Sequence, residues 1–496
     1  MSTQSASTPS HVGPTDDQNE QAECVADQSS RISDAYDLDA QAQPAQVQWV
    51  QARPVELPGA HGPRGDAWPV TARWGAEGLE VGGVSATTLA ERFGTPLLVV
   101  DSDHVRRRCR DLRRAFPQVH YAAKALTARR LLRLVNSEGI RLLAASHGEL
   151  EACLRGGVPA GQIALHGINK SEAELERAIA AGVGLLICDS IAEIARADGI
   201  AADLRRRQDV LVRVVPGVEA GGHRHVVTGG GSSRFGVPLE NGQATAAVLA
   251  VAESRNLRYR GLHAHIGSQV LDAEPYLQTA ERLVTLAGRL ARELAVDTEL
   301  LDVGGGFGVS YVGERALDVG LLASALRARV AAVAAREGIT APRLVVEPGR
   351  AVVGNAGVTL YRVGAVKRAA SDARVVAVDG GMSDNPRPML YEARYDVAHA
   401  GPVTCAELVA TTVVGRHCES GDVVASGVPL AVDIAPGDLL AVAATGAYCY
   451  PLASNYNRTP RPAVVAVEGG EAQVWLRRET HDDLDRLEVE PARVVS

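Results

Sequence analysis

Eight short apolar runs, each followed by a longer stretch with helical spacing, constrain this chain more than any other feature. They are Val119 to Lys124, Arg141 to Ser146, Gln162 to Gly167, Gly184 to Asp189, Val210 to Pro216, Tyr259 to Gly267, Glu299 to Gly306 and Arg343 to Gly349. Strands buried on both faces read as continuous hydrophobic stretches, and strands alternating with helices pair in parallel. Eight such units therefore predict an α/β fold built on a closed (β/α)8 barrel. A miscounted open sheet is the competing reading, and periodicity alone leaves it open.

The chain changes character on both sides of this core. Residues 1–54 are rich in Ser, Gln, Ala, Asp and Thr, lack apolar periodicity, and set eight acidic residues against Arg31 and Arg53. Such a segment buries too little surface to offset its ordering entropy, so a disordered acidic tail is expected, with solvating and partner-binding roles equally open. Folded structure is expected from about Trp68. After Gly354 the text turns to short runs of Val, Ala and Thr separated by Gly, Pro, Asp and Ser, which reads as a second, mainly β domain. The β-rich run Leu97 to Val100, preceded by the helical pattern Thr87 to Phe93, has no place in the barrel count and is expected to pair with that later domain. The expected division is a tail at 1–54, a barrel at 102–354, and a β domain made from 55–101 and 355–496.

Composition narrows the partners. The 496 residues are 46% apolar and 22% charged, ample for a large core, and 51 basic against 59 acidic side chains give a net charge of −8. An acidic chain without a Lys/Arg stripe offers no footprint for nucleic acid or an anionic membrane, so a small molecule is the expected partner. Seven scattered cysteines with no C-x-x-C pair suggest neither a disulfide framework nor zinc, and fit reduced thiols in a cytoplasm. Neither a secretory leader nor a run long enough to span a membrane is read in the chain.

In barrels of this kind chemistry sits at the C-terminal ends of the strands, and several reactive residue types fall there. Lys124 closes the first run. At the rim it is a solvated cation; buried, desolvation would favour the free amine that carbonyl chemistry needs. His263 and His265, two apart, close the sixth run without a carboxylate or Cys spaced to complete a metal shell, so no metal is expected there. A buried, hydrogen-bonded histidine and an imidazole stacked on an aromatic ligand both remain open. Gly304, Gly305 and Gly306 follow the seventh run. Their backbone N–H groups can approach an anion, and a following helix would add its positive end, although a plain tight turn explains glycines as well. The run lacks the last glycine of G-x-G-x-x-G, because Val309 stands there. Glu347 enters the turn Pro348-Gly349-Arg350, where a surface ion pair with Arg350 would be the plain reading. Together, one amine, one flat ring, one phosphate cradle and one carboxylate at the same barrel end match the needs of pyridoxal 5′-phosphate. In the later domain, the stretch Asp379 to Pro388 reads as a loop that carries Arg387, with Tyr391 beyond it; a solvated loop is the plain reading, although Arg is suited to bidentate carboxylate recognition. His417-Cys418-Glu419 puts a thiol in a polar turn, where it is a candidate acid. The run Tyr448-Cys449-Tyr450 reads as a core strand or as a phenol meeting a phosphate.

The segments Tyr121 to Lys124, His265 to Gln269, Leu301 to Tyr311, Glu347 to Arg350, Asp379 to Pro388, His417 to Asp422 and Ala447 to Tyr450 together resemble the diaminopimelate decarboxylase family. The resemblance spans roughly Leu97 to Val489. It implies a barrel of the alanine-racemase type joined to a β domain, working as a head-to-tail homodimer with shared sites. It implies pyridoxal phosphate held by Lys124 as Schiff base, His265 stacked on the ring, Gly305, Gly306 and Ser268 at the phosphate, Glu347 at the pyridinium nitrogen and Tyr448 in contact. Arg350, Arg387 and Tyr391 would hold the distal carboxylate of an amino diacid and Glu419 its distal amine, with Tyr448 touching the substrate too. Cys418, from the partner subunit, would be the proton donor. The implied reaction is loss of CO2 from meso-diaminopimelate to give L-lysine; the competing readings are a related decarboxylase with another amino-acid substrate and a catalytically silent homologue. Three positions depart from the family's pattern: Leu143 replaces an acid, His147 a glycine, and Ile168 a common asparagine.

Overall fold

The structure is a computed structural model that describes residues 65–220, 234–402 and 406–489. The acidic tail expected at 1–54, Cys24 and Cys405 lie outside the described residues. Barrel strands one to eight are Gln118–Ala122, Arg141–Ala144, Ile163–Leu165, Leu185–Cys188, Gln208–Val215, Leu257–His263, Leu300–Asp302 and Arg343–Val346. Each falls within one of the eight apolar runs or overlaps it, and each pairs in parallel with its neighbours. The open sheet is excluded by the seam, where Val345 and Val346 of strand eight lie opposite Gln118 and Val119 of strand one.

Capping chemistry sets where the helices begin. The side chains of Ser146, Ser171, Ser190 and Asp318 accept backbone N–H groups at the starts of His147–Arg155, Glu172–Ala181, Ile191–Asp203 and Val319–Glu337. Each cap satisfies a donor that the first helical turn leaves orphaned. Asp101 does the same for Ser102–Ala115, accepting from His104 at 3.0 Å, and its other oxygen holds the Thr71 hydroxyl at 2.7 Å. Among the described residues no helix is long and apolar enough to cross a membrane.

Alternation along the strands sorts side chains into two shells. One parity faces the helices and forms the large core, with Tyr121, Leu142, Leu186 and Val212 fully buried. The other faces the barrel axis, where Ala122, Leu143, Ala164, Leu185, Ile187, Leu211, Leu300 and Val345 pack as an apolar plug. The same inward parity carries His120, His166, Asp189, Arg213, Asp302 and Glu347, so buried polar groups share the interior with the plug.

The second domain is a mainly β unit. Its main sheet runs in the order Val423–Ala431, Leu408–Val414, Arg374–Val378, Gly357–Arg368, Leu97–Asp101, Ala463–Glu468, Glu471–Leu476. The early strand Leu97–Asp101 lies antiparallel to Gly357–Arg368 and parallel to Ala463–Glu468. Flanked on both sides, it is buried along its whole length, which its Leu-Leu-Val-Val run already implied. One expectation fails: no helix follows the glycines of strand seven directly. The next helix starts only at Val319, and the carboxylate of Asp318 already occupies its first N–H groups. Any anion at Gly305 and Gly306 is therefore offered no helix N-terminus.

Candidate active site

Lys124 lies on a single 3-10 turn, Ala123–Ala125, directly after strand one, and its side chain is exposed at the barrel mouth. The Tyr448 N–H donates to Ala125 O at 2.9 Å, tying the β domain to this turn. Tyr448 adopts a left-handed backbone, φ 62°, which a residue with a β-carbon rarely takes outside constrained sites. Next to Lys124, the Nδ1 atom of His265 accepts the Gly305 N–H at 3.2 Å. Burial, then the nearby cations Lys124 and Arg213, hold this imidazole's pKa well below its usual value, so the ring is neutral. Gly304 and Gly306 have φ of 74° and 86°, and a Cβ built on Gly305 or Gly306 would lie 2.0 Å from Glu347 O or 1.9 Å from Gly267 O. Only glycine lets strands six, seven and eight close together here.

Glu347 is not a surface partner of Arg350. It is buried, and its Oε2 is bonded to His263 Nε2 at 3.1 Å while its Oε1 has no hydrogen-bond partner. Burial pushes its pKa up to about 7, with Lys124 and Arg213 pulling the other way. The two histidines of strand six thus divide the work, His263 on the carboxyl group inside the barrel and His265 at the glycines of its mouth.

Arg350 and Arg387 are buried, and neither has a carboxylate partner among the described residues. Both donate instead to the Tyr311 hydroxyl, Arg387 at 2.9 Å. Arg387 also donates to Tyr395 Oη at 2.5 Å, and Arg350 to Ser268 Oγ at 3.1 Å. The Arg350 guanidinium lies over the Tyr448 ring, 4.9 Å from its centroid. Two buried cations converging on phenol oxygens form a site for an anion, since a carboxylate offers each a far stronger acceptor. Tyr391 ends the short helix Arg387–Tyr391 and is half-buried.

Cys418 and Glu419 stand elsewhere. Their turn is exposed, Glu419 meets the Tyr456 hydroxyl, and no hydrogen bond among the described residues joins either to the barrel mouth. The turn is nevertheless stiff. Asp422 accepts the N–H groups of Met382 at 2.6 Å and His417 at 2.8 Å, and the His417 ring bridges Ser383 Oγ and Asn457 Oδ1.

Three contributors escape a reading by motif, Tyr311 and Tyr395 on the arginines and Asp302 near Glu347, while His263 is the buried, hydrogen-bonded histidine that its sequence left open. The inward position of Asp302 was readable from strand parity, but Tyr311 and Tyr395 lie in loops, and the partners of all three lie on other segments of the chain. Of the departures, Leu143 joins the apolar plug, His147 is on an exposed first turn, and Ile168 is exposed beyond strand three.

The set fits pyridoxal phosphate: an amine at the mouth, a neutral ring, glycines with no room for a β-carbon, and a buried carboxyl oxygen without a partner. Comparison with known proteins agrees. Residues 102–354 match the family described as pyridoxal-dependent decarboxylase, pyridoxal binding domain. The diaminopimelate decarboxylase of Actinosynnema pretiosum subsp. auranticum is 48% identical over 432 residues, covering 85% of this chain and 95% of that one. That of Mycobacterium leprae is 45% identical over 421 residues, covering 82% and 89%. The crystal structure of the Helicobacter pylori diaminopimelate decarboxylase complexed with L-lysine superposes with a TM-score of 0.75 at 30% identity, covering 81% of this chain and 98% of that one. With barrel, mouth and sequence in agreement over most of its length, the chain belongs to the diaminopimelate decarboxylase family of pyridoxal-phosphate enzymes.

Proposed function

We infer that this enzyme removes CO2 from meso-2,6-diaminopimelate to give L-lysine, the last step of lysine biosynthesis. The observation that carries this reading is the pair of buried arginines, Arg350 and Arg387, held beside the Lys124 turn with no carboxylate among the described residues to neutralise them. An amino acid lacking a second carboxylate would leave both cations buried and unpaired, a cost of several kcal/mol.

Pyridoxal phosphate, when bound, supplies an aldehyde that condenses with amines and a ring that accepts the electrons of the breaking C–CO2 bond. Lys124 would hold that aldehyde until substrate takes its place. Glu347 would keep a proton on the ring nitrogen, His265 would cover one face of the ring, and Gly305, Gly306 and Ser268 would hold the phosphate. A racemase requires a second base and an unprotonated ring, whereas an acid at the ring nitrogen favours decarboxylation. Arg350, Arg387 and Tyr391 would orient the distal carboxylate and Glu419 the distal amine, with Tyr448 against cofactor and substrate. Cys418 would deliver a proton to the carbon that loses CO2. Because Cys418 and Glu419 are exposed and unconnected to this chain's barrel mouth, we assign them to the site of a second copy, in a homodimer with shared sites. The exposed Met389 and Leu390 beside that turn support a covered surface there. The thiols of the described residues are free, in keeping with a cytoplasmic enzyme.

The test is CO2 release from meso-diaminopimelate, lysine, ornithine and arginine in parallel. Release from the diamino diacid alone is expected; activity confined to ornithine or arginine would overturn the substrate.

A further inference from the structure

Asp302 closes strand seven inside the barrel, fully buried and so far given no role beyond its place near Glu347. Its Oδ1 accepts the Gly304 N–H at 2.9 Å, while Oδ2 has no partner. One carboxyl oxygen of Asp302, one of Glu347 and one ring nitrogen of His120 lie within 4.8 Å of one another. Two carboxyl groups this close in a dry interior cannot both ionise unless a cation separates them.

The facing groups supply none. From strand one, His120 is paired with the Gln118 amide at 2.9 Å, and from strand three the His166 ring lies 4.9 Å from that of His263. Burial lowers the pKa of all three imidazoles, His120 to about 3 and His263 to about 4, so they are neutral. From strand five, Arg213 is engaged with Asp189, at the end of strand four, at 3.5 Å. Lys170 is occupied by Glu193 at 2.7 Å, and Lys124 stands at the mouth. One proton must therefore reside on the Asp302–Glu347 pair, and the surroundings decide where. Glu347 is bonded to His263 and feels the attraction of Lys124 and Arg213, all favouring its charge. For Asp302, burial above all, then the charge of Glu347 and the hydrogen bond to it that a proton on the pair allows, raise the pKa well above the carboxylate range, with only His263 and the Gly304 N–H pulling the other way.

We propose that Asp302 is a positioning residue that holds the single proton of this carboxyl pair, so that Glu347 stays a carboxylate with Oε1 free for the cofactor's ring nitrogen. This rests on the reading of Glu347 as the ring-nitrogen partner. Without the proton on Asp302, the pair would place it on Glu347, and the acid would face a ring nitrogen that it could no longer keep protonated by charge.

Infrared spectroscopy of the holoenzyme reads the proton directly. Wild type should show a protonated-carboxyl band that persists at neutral pH, is lost in Asp302→Asn and in Asp302→Ala, and survives in Glu347→Gln. Asp384, a second buried acid, is identified by the band lost in Asp384→Asn. Asparagine mimics the neutral acid, so Asp302→Asn should keep the cofactor dissociation constant within about threefold of wild type, whereas Asp302→Ala should weaken it about tenfold, as loss of a supporting partner does at other sites. A band unchanged in both Asp302 variants, or equal weakening of cofactor binding in the two, overturns the proposal. Glu347→Gln with wild-type cofactor affinity and visible spectrum would instead remove the role of Glu347 on which it rests.

Discussion

The barrel mouth and the β-domain turn carrying Cys418 hold comparable polar residues under opposite conditions. At the mouth, Glu347, Arg350 and Arg387 are buried and bonded to His263, Ser268 and Tyr395, partners drawn from several segments of the chain. At the turn, Cys418 and Glu419 are exposed, although Asp422 and His417 hold their backbone in place. The contrast separates two ways of making a site. Of the groups proposed for the cofactor, Glu347 is buried and Lys124 opens to the mouth, both supplied by one chain. In the proposed dimer, Cys418 and Glu419 would be presented on a stiff surface for another chain to receive, and stiffness without burial is what a preformed docking edge requires.

Substitutions at the mouth should therefore act within one chain, and those at the turn across two. The largest effect is expected for Lys124→Ala, which should abolish the cofactor's visible absorbance and cut CO2 release by about a thousandfold or more; an unchanged spectrum would show that another amine is used. Arg387→Ala should lower kcat/KM for meso-diaminopimelate by roughly a hundredfold, equivalent to about 3 kcal/mol, while cofactor affinity measured by fluorescence stays near wild type. Cys418→Ala should spare the colour and slow turnover about a hundredfold. Mixing it with Lys124→Ala after dissociation should restore part of the activity, since a mixed dimer holds one intact site; no recovery would place both residues in the same chain's site.

Asp384 sharpens the comparison from the stability side. It is buried in the β domain, with Tyr361 and the Gly381 N–H as donors, and burial above all pushes its pKa up to about 7. Between the ordinary value of 3.8 and about 7 the native state keeps a proton that the unfolded chain has lost. Stability therefore falls as pH rises through that window and levels off above it, by on the order of 4 kcal/mol. Urea unfolding across the window should show this slope, flattened in Asp384→Asn. The smallest effect belongs to Tyr311→Phe, which removes the shared acceptor of the two arginines and should raise KM about fivefold, worth about 1 kcal/mol, with kcat little changed.

Much of this was legible in the chain. The eight apolar runs specify barrel strands because a parallel strand must be apolar on both faces, and Leu97 to Val100 announced a buried strand for the same reason. The mouth residues could be listed because they sit at strand ends, where apolar text stops. The glycines of strand seven show the limit: their number signalled close approach, but the helix expected behind them is absent, because twelve residues, Phe307 to Asp318, intervene. Tyr311 and Tyr395 were invisible as site residues, since a tyrosine in a loop carries no signal of its own until the arginines it meets are known.

By itself the sequence determined the local grammar: which segments are strands, where serine or aspartate starts a helix, and which residue types stand at the barrel's reactive end. Only the tertiary structure decided how those residues are charged and joined. Glu347 turned from an apparent partner of Arg350 into a buried carboxyl beside His263 and Asp302, and two arginines far apart in the chain came to share one phenol. The physical reason is range. Strand and helix signals arise between residues a few positions apart, whereas desolvation and charge pairing depend on everything that surrounds a group, and inside a barrel that surrounding comes from several strands at once.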